Sequence, residues 1–109
     1  MLPDTAMRLL SLSTLREFWE RFPDAERFLR EWRRVVEYSS WKNAHEIKAS
    51  LPSADPLGDR LVCFDINNNR YRIMAIVDYP HQMVLVRFIG PHAEYDDLMD
   101  RKDWRRKLL

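Results

Sequence analysis

The 109 residues carry 18 lysines and arginines against 17 aspartates and glutamates, a formal net charge of +1. Neither strong non-specific nucleic-acid binding nor an acidic disordered tail follows from such a balance, so any electrostatic function is local. At 46% hydrophobic, the chain has the length and apolar content for one domain with its own core. The lone cysteine, Cys63, has no internal partner and sits in an apolar strand, which fits a buried thiol in a reducing compartment. No apolar run approaches the ~20 residues that span a bilayer, and residues 1–6 lack the basic start and apolar stretch of a secretion signal. A soluble cytoplasmic protein is expected.

Residues 1–6 show no periodicity and read as a disordered extension, with Met7 an alternative start. Arg8-Leu9-Leu10-Ser11-Leu12 reads as a first strand. Thr14 and Glu17 stand at capping-box spacing, and Leu15, Phe18, Trp19 and Phe22 recur at i, i+3, i+4 and i+7. They predict a helix from about Thr14 that Pro23 interrupts. A second helix from about Asp24 carries Phe28, Leu29, Trp32, Val35 and Val36 on one stripe. Its other face interleaves Arg27, Arg30, Arg33 and Arg34 with glutamates, a pattern that favours plain solubility. Asn43 and Glu46, again at capping-box spacing, open a short helix, and 51–59 is a loop by composition.

Beyond the loop the period changes to two. Residues 60–66, 70–78 and 83–89 are β-rich runs separated by Asn67-Asn68-Asn69 and Tyr79-Pro80-His81-Gln82. Such short connections demand antiparallel hairpins. The fold class is therefore α+β: two N-terminal helices packed on a small antiparallel sheet, with a short helix after it. Residues 99–109 form a basic tail around Trp104, suited either to RNA backbone contact or to solvation.

Arg87 is the one charged residue in the run 83–89, and Leu85 and Ile89 share its parity. Arg70 and Arg72 share a face of the preceding strand, and an antiparallel register can bring Arg72 near Arg87. Salt bridges to Asp65, Asp78 or Glu94 would explain these cations structurally. A phosphate clamp would explain them functionally, since guanidinium forks match phosphate oxygens. Past the Gly90-Pro91 break, His92, Glu94, Tyr95 and Asp96 gather four proton-handling groups within five residues. His92 can equally be a plain helix-start residue, and Tyr95 a core residue. No His, Cys or carboxylate spacing suits zinc, and Gly58 and Gly90 are the only glycines, so neither a metal site nor a glycine-rich phosphate loop is expected.

These segments also carry a resemblance. Phe64-Asp65-Ile66-Asn67-Asn68-Asn69-Arg70-Tyr71-Arg72 and Val86-Arg87-Phe88-Ile89-Gly90-Pro91-His92-Ala93-Glu94-Tyr95-Asp96, after two helices and a loop, resemble the HigB toxins of bacterial type II toxin–antitoxin systems. These belong to the RelE-like superfamily. The opening from Ser11 to Glu20 and Trp41-Lys42 share the resemblance, which covers about residues 7–98. It implies a RelE-like fold and an mRNA interferase, a metal-independent endoribonuclease acting at the translating ribosome. It also implies neutralisation by a HigA-like helix-turn-helix antitoxin, through which alone the toxin would meet operator DNA. By the same resemblance the catalytic set is Arg72, Arg87, His92, Glu94 and Tyr95, with Asn69 and Arg70 binding substrate and no cofactor. The arginines would hold the phosphate, and His92 and Glu94 would be the acid–base pair. Tyr95 would stack on a base or donate its proton. The family often has Phe-Asn-Ile where this chain has Phe64-Asp65-Ile66, and Gly-Thr-His where it has Gly90-Pro91-His92, so Asp65 sets a negative charge near the expected phosphate. A toxin with a protein target, and a degenerate RNA- or antitoxin-binding module, are the alternatives.

Overall fold

The structure is a computed structural model that describes residues 6–109. The expectation for the N-terminal extension falls, save for Ala6, outside the described residues. Three of the β-rich runs form the centre of a five-stranded sheet: β1 (Arg8–Leu10), β2 (Asp55–Gly58), β3 (Leu61–Ile66), β4 (Tyr71–Asp78) and β5 (Met83–Pro91). The order is β1-β5-β4-β3-β2. β1 runs parallel to β5 and every other pairing is antiparallel. Around the sheet lie α1 (Leu12–Arg21), α2 (Glu26–Glu37), α3 (Ala44–Ser50), α4 (His92–Met99) and α5 (Trp104–Leu108), with a 3-10 turn over Pro23–Ala25 joining α1 to α2. The α+β class read from periodicity is the one observed.

Local differences have local causes. α1 starts at Leu12, not near Thr14, because Ser11 takes a left-handed conformation (φ 73°) and no side chain caps the helix. The Ser11 carbonyl receives the N–H groups of Thr14 and Leu15 instead, and β1 ends at Leu10. At α3 the cap forms as read on one side, the Asn43 side chain accepting the Glu46 N–H at 3.0 Å, while the Glu46 carboxylate reaches back one residue further than a capping box and accepts the Lys42 N–H at 3.1 Å. β2 lies inside the segment read as a loop. It is an edge strand in which Pro56 faces Val62, and its Pro and Gly content hid it from a composition reading.

The sheet is covered on both faces. α1, α2 and α3 bury Leu15, Phe18, Leu29, Trp32, Val36 and Ile47 against Phe64, Ile73, Ala75, Val77 and Val84. Trp32 meets the Phe64 ring edge-on at 5.2 Å. The other face carries a smaller core of Leu61, Cys63, Met74 and Leu108, ringed by Phe88, Tyr95, Leu98 and Trp104. The basic segment 99–109 thus sends Leu108, 4% exposed, onto the sheet. Trp104 and Leu108 stand four apart on one side of α5. Arg105 ties that helix down by donating to the Asp59 carboxylate and the Leu57 carbonyl, both at 2.8 Å.

β5 carries a bulge. Met74 pairs with Phe88 and Ala75 with Val86, which leaves Arg87 as an extra residue. The side-chain alternation therefore changes phase at Arg87. Ile89, expected on the face of Leu85, packs into the helix-covered core, while Phe88 joins the smaller one.

Candidate functional site

Register across three strands builds the site. Asp65 lies opposite Arg72 on β4, and Arg72 lies opposite Gly90 on β5. The ladder runs on past β5, the His92 N–H donating to the Arg70 carbonyl at 3.0 Å, and α4 starts at that residue. Gly90 leaves room here: a Cβ there would stand 2.9 Å from both a Glu94 carboxylate oxygen and the Phe88 ring, and those two side chains would have to swing away.

The Arg72 guanidinium is the centre of this corner. One of its Nη groups pairs with the Asp65 carboxylate. The other stands 3.2 Å from His92 Nε2, and the plane lies 5.0 Å from the centroid of the Tyr95 ring. Its Nε–H is buried and has no partner among the described residues. His92 Nδ1 lies 2.9 Å from the Asp96 carboxylate, one helical turn along α4. An arginine can only donate, so His92 Nε2 accepts from Arg72, and Nδ1 carries the ring proton toward Asp96. The geometry thus defines one tautomer, with the Nε2 lone pair facing the guanidinium. Burial, with the Cys63 thiol beside it, pushes the Tyr95 phenol up to about 12, so it holds its proton through the neutral range. Cys63 is itself pushed up by burial, and it remains a thiol rather than a nucleophile.

The structure brings Arg72, His92 and Tyr95 together and sets the other sequence-read residues apart. Arg87, at the bulge, is exposed and donates its Nε–H to the Leu108 carbonyl at 2.6 Å. It stands three residues from Gly90 along β5, roughly 10 Å at the strand rise. Glu94 is exposed in the first turn of α4, facing a cleft of about 270 Å³ shared with Phe88, Asp97, Leu98 and Arg101. It forms no hydrogen bond with His92. Asn69 is exposed at the hairpin tip, the third of three consecutive asparagines with positive φ. Arg70 is paired with Asp24 at 2.7 Å. The same carboxylate takes the Tyr71 hydroxyl, and these two contacts hold Asp24 below the usual carboxylate range, Tyr71 acting most strongly. Of the acidic partners expected for the arginines, Asp65 does pair with Arg72, whereas Asp78 lies against His81 and Arg60. Asp96, counted among the four proton-handling groups but given no role, and Cys63, read as a buried thiol, join the site. The i, i+4 spacing of His92 and Asp96 on a helix was the signal for the first.

Among the described residues no group of three or more His, Cys, Asp or Glu side chains could hold a metal ion, and no helix is long and apolar enough to cross a membrane.

A five-stranded sheet with helices on one face, and a helix that starts at the site and packs on the other, defines a small α+β toxin subunit of the RelE-like class once it is joined to the sequence comparison. Residues 25–98 match the family model HigB_toxin, the RelE-like toxic component of a toxin–antitoxin system. The chain belongs to the HigB toxin family. It is 23% identical over 94 residues to the mRNA interferase HigB of Escherichia coli O6:H1 strain CFT073, covering 84% of this chain and 91% of that protein. It is 26% identical over 92 residues to the mRNA interferase toxin HigB of Escherichia coli K12, covering 83% of this chain and 88% of that protein. The same figures hold for the mRNA interferase HigB of Shigella flexneri. Membership in a toxin–antitoxin system implies an antitoxin partner.

Proposed function

We propose that the chain is an mRNA interferase that cleaves messenger RNA at the translating ribosome, in the cytoplasm, through attack by the RNA's own 2′-OH and without a metal. The relatives carry that name, and the observation that carries the reading to this chain is the contact between Arg72 and His92 Nε2. A phosphate that draws the Arg72 guanidinium toward itself releases the Nε2 lone pair. His92 then accepts the proton of the ribose 2′-OH, with its ring held by Asp96. The 2′ oxygen attacks the adjacent phosphorus, and Arg72 holds the charge that gathers on the phosphorane. The bond to the 5′ oxygen breaks, and the Tyr95 phenol protonates that oxygen, its raised pKa lying below that of an alkoxide. The products are a 2′,3′-cyclic phosphate and a 5′-hydroxyl end. Arg87, roughly 10 Å along β5, suits a neighbouring phosphate rather than the reacting one. Glu94, Asn69 and Arg70 take outer positions, where they contact substrate at the rim. The antitoxin is of the helix-turn-helix kind, and it supplies all contact with operator DNA.

The test is primer-extension mapping of a reporter message in cells induced for the wild-type chain, Arg72→Ala and His92→Ala. New 5′ ends within the reading frame are expected for wild type only when ribosomes engage the message. His92→Ala should reduce them by about 10²- to 10⁴-fold, the usual share of a general base. Growth arrest without new ends would replace this reading with a protein target.

A further inference from the structure

β2 pairs with β3 only as far as Cys63, so beyond that residue the outer edge of β3 has no strand beside it among the described residues. The direction of the backbone groups there follows from the ladder. Val77 N–H donates to the Arg60 carbonyl, so residues 60, 62, 64 and 66 make the bonds toward β4, and Cys63 and Asp65 turn theirs the other way. Cys63 meets β2. The N–H and C=O of Asp65 face the open edge. Beside that edge runs a groove of about 150 Å³, room for one large apolar side chain, with Phe28, Trp32 and Val35 of α2 and Leu51 among its walls. Trp32 is 4% exposed, yet its indole N–H has no partner among the described residues. Glu31 also lines the groove and forms no ion pair among them.

We infer that this groove takes an extended segment of the antitoxin, which adds as a strand to β3 at Asp65, places an apolar side chain between Phe28, Val35 and Leu51, and accepts the Trp32 N–H on a backbone carbonyl. The open backbone selects a strand over a helix, because only an extended chain pairs with an edge. The bare Glu31 carboxylate calls for a lysine or arginine in the segment. A buried donor without an acceptor costs free energy in the free chain, so filling it favours the complex. The site is reached without being covered: Asp65 offers its backbone to the groove and its side chain to Arg72. A strand seated on Asp65 fixes the carboxylate that holds the guanidinium away from a phosphate. The inference rests on the toxin–antitoxin membership and goes beyond it in naming the surface and the chemistry of its occupant.

The probe is the antitoxin encoded beside the toxin gene, co-expressed with the full chain. In the complex, hydrogen exchange at the Asp65 amide should slow by at least about 100-fold relative to the free chain. Trp32→Phe, which deletes the unpartnered donor but also trims a buried ring, should weaken binding about tenfold when binding is read well below the melting temperature of the free variant. Val35→Glu, at a half-buried surface position, should weaken binding by at least as much. A stable complex in which the Asp65 amide exchanges as before, and both variants bind normally, would overturn the inference and leave the family reading intact. Absence of both a complex and growth arrest would remove the proposed toxin function, and the inference with it.

Discussion

Replacing Asp65 by asparagine separates the two demands on Arg72. In the folded chain the Asp65 carboxylate pairs with one Nη group while His92 occupies the other. A phosphate seated on the guanidinium would lie about 6 Å from that carboxylate, and at an effective dielectric of about 20 to 40 the repulsion is about 1.5 to 3 kcal/mol. Because Asp65 is 26% exposed, solvent screening favours the lower end, which is about tenfold in an equilibrium constant. The amide oxygen of asparagine still accepts from Arg72, so the guanidinium keeps its direction. Asp65→Asn should therefore raise kcat/KM for reporter cleavage with purified ribosomes by about tenfold. Loss of the half-buried pair should destabilise the free chain by about 1 kcal/mol. A fall in kcat/KM with the fold intact would refute the argument, because it would show that Asp65 holds Arg72 in its working position rather than competing for it.

Leu108→Ala removes most of a buried side chain from the smaller core, at a cost of about 2 kcal/mol at least, or roughly 8 °C in melting temperature for a domain of this size. A shift under about 2 °C in a thermal scan would mean that α5 is not docked. Tyr95 has its pKa raised from 10.0 to about 12. Its folded form favours the neutral phenol, so the stability it contributes is whole below pH 10 and is lost as pH rises toward 12. Tyr95→Phe should move the alkaline unfolding midpoint upward, followed by circular dichroism. Tyr71 and Tyr79, shifted in the same direction, keep part of the pH dependence, and an unchanged midpoint would count against the burial of the Tyr95 hydroxyl.

The helix stripes and the two hairpins were legible because their periods are long enough to read and their turns are rich in Asn, Pro and Gln. The pairing of Asp65 with Arg72 follows from the hairpin through Asn67-Asn68-Asn69 once its register is known. Features that depend on one residue's backbone were not legible. Ser11 adopts positive φ without being glycine, and nothing in its identity demands that. β2 is a short edge strand whose Pro and Gly read as loop. The place of Leu108 depends on a face of the sheet that only the folded chain assembles. In the site, residue types near His92 were readable. Their partners were not, because the bulge at Arg87 alters which side chains share a face.

That surplus residue has a genetic consequence. Side-chain direction in a strand reverses with every position, so the phase of Gly90, Pro91 and His92 against β4 is set by how many residues β5 spends before them. Deleting one codon at position 87 would straighten β5 into an unbroken ladder with Val86 still opposite Ala75 and Phe88 still opposite Met74, and would leave His92 on the Arg72 side of the sheet. One codon can thus be lost at the bulge with the phase of the site kept, whereas loss of a second, with no surplus residue left to absorb it, would turn His92 to the other face.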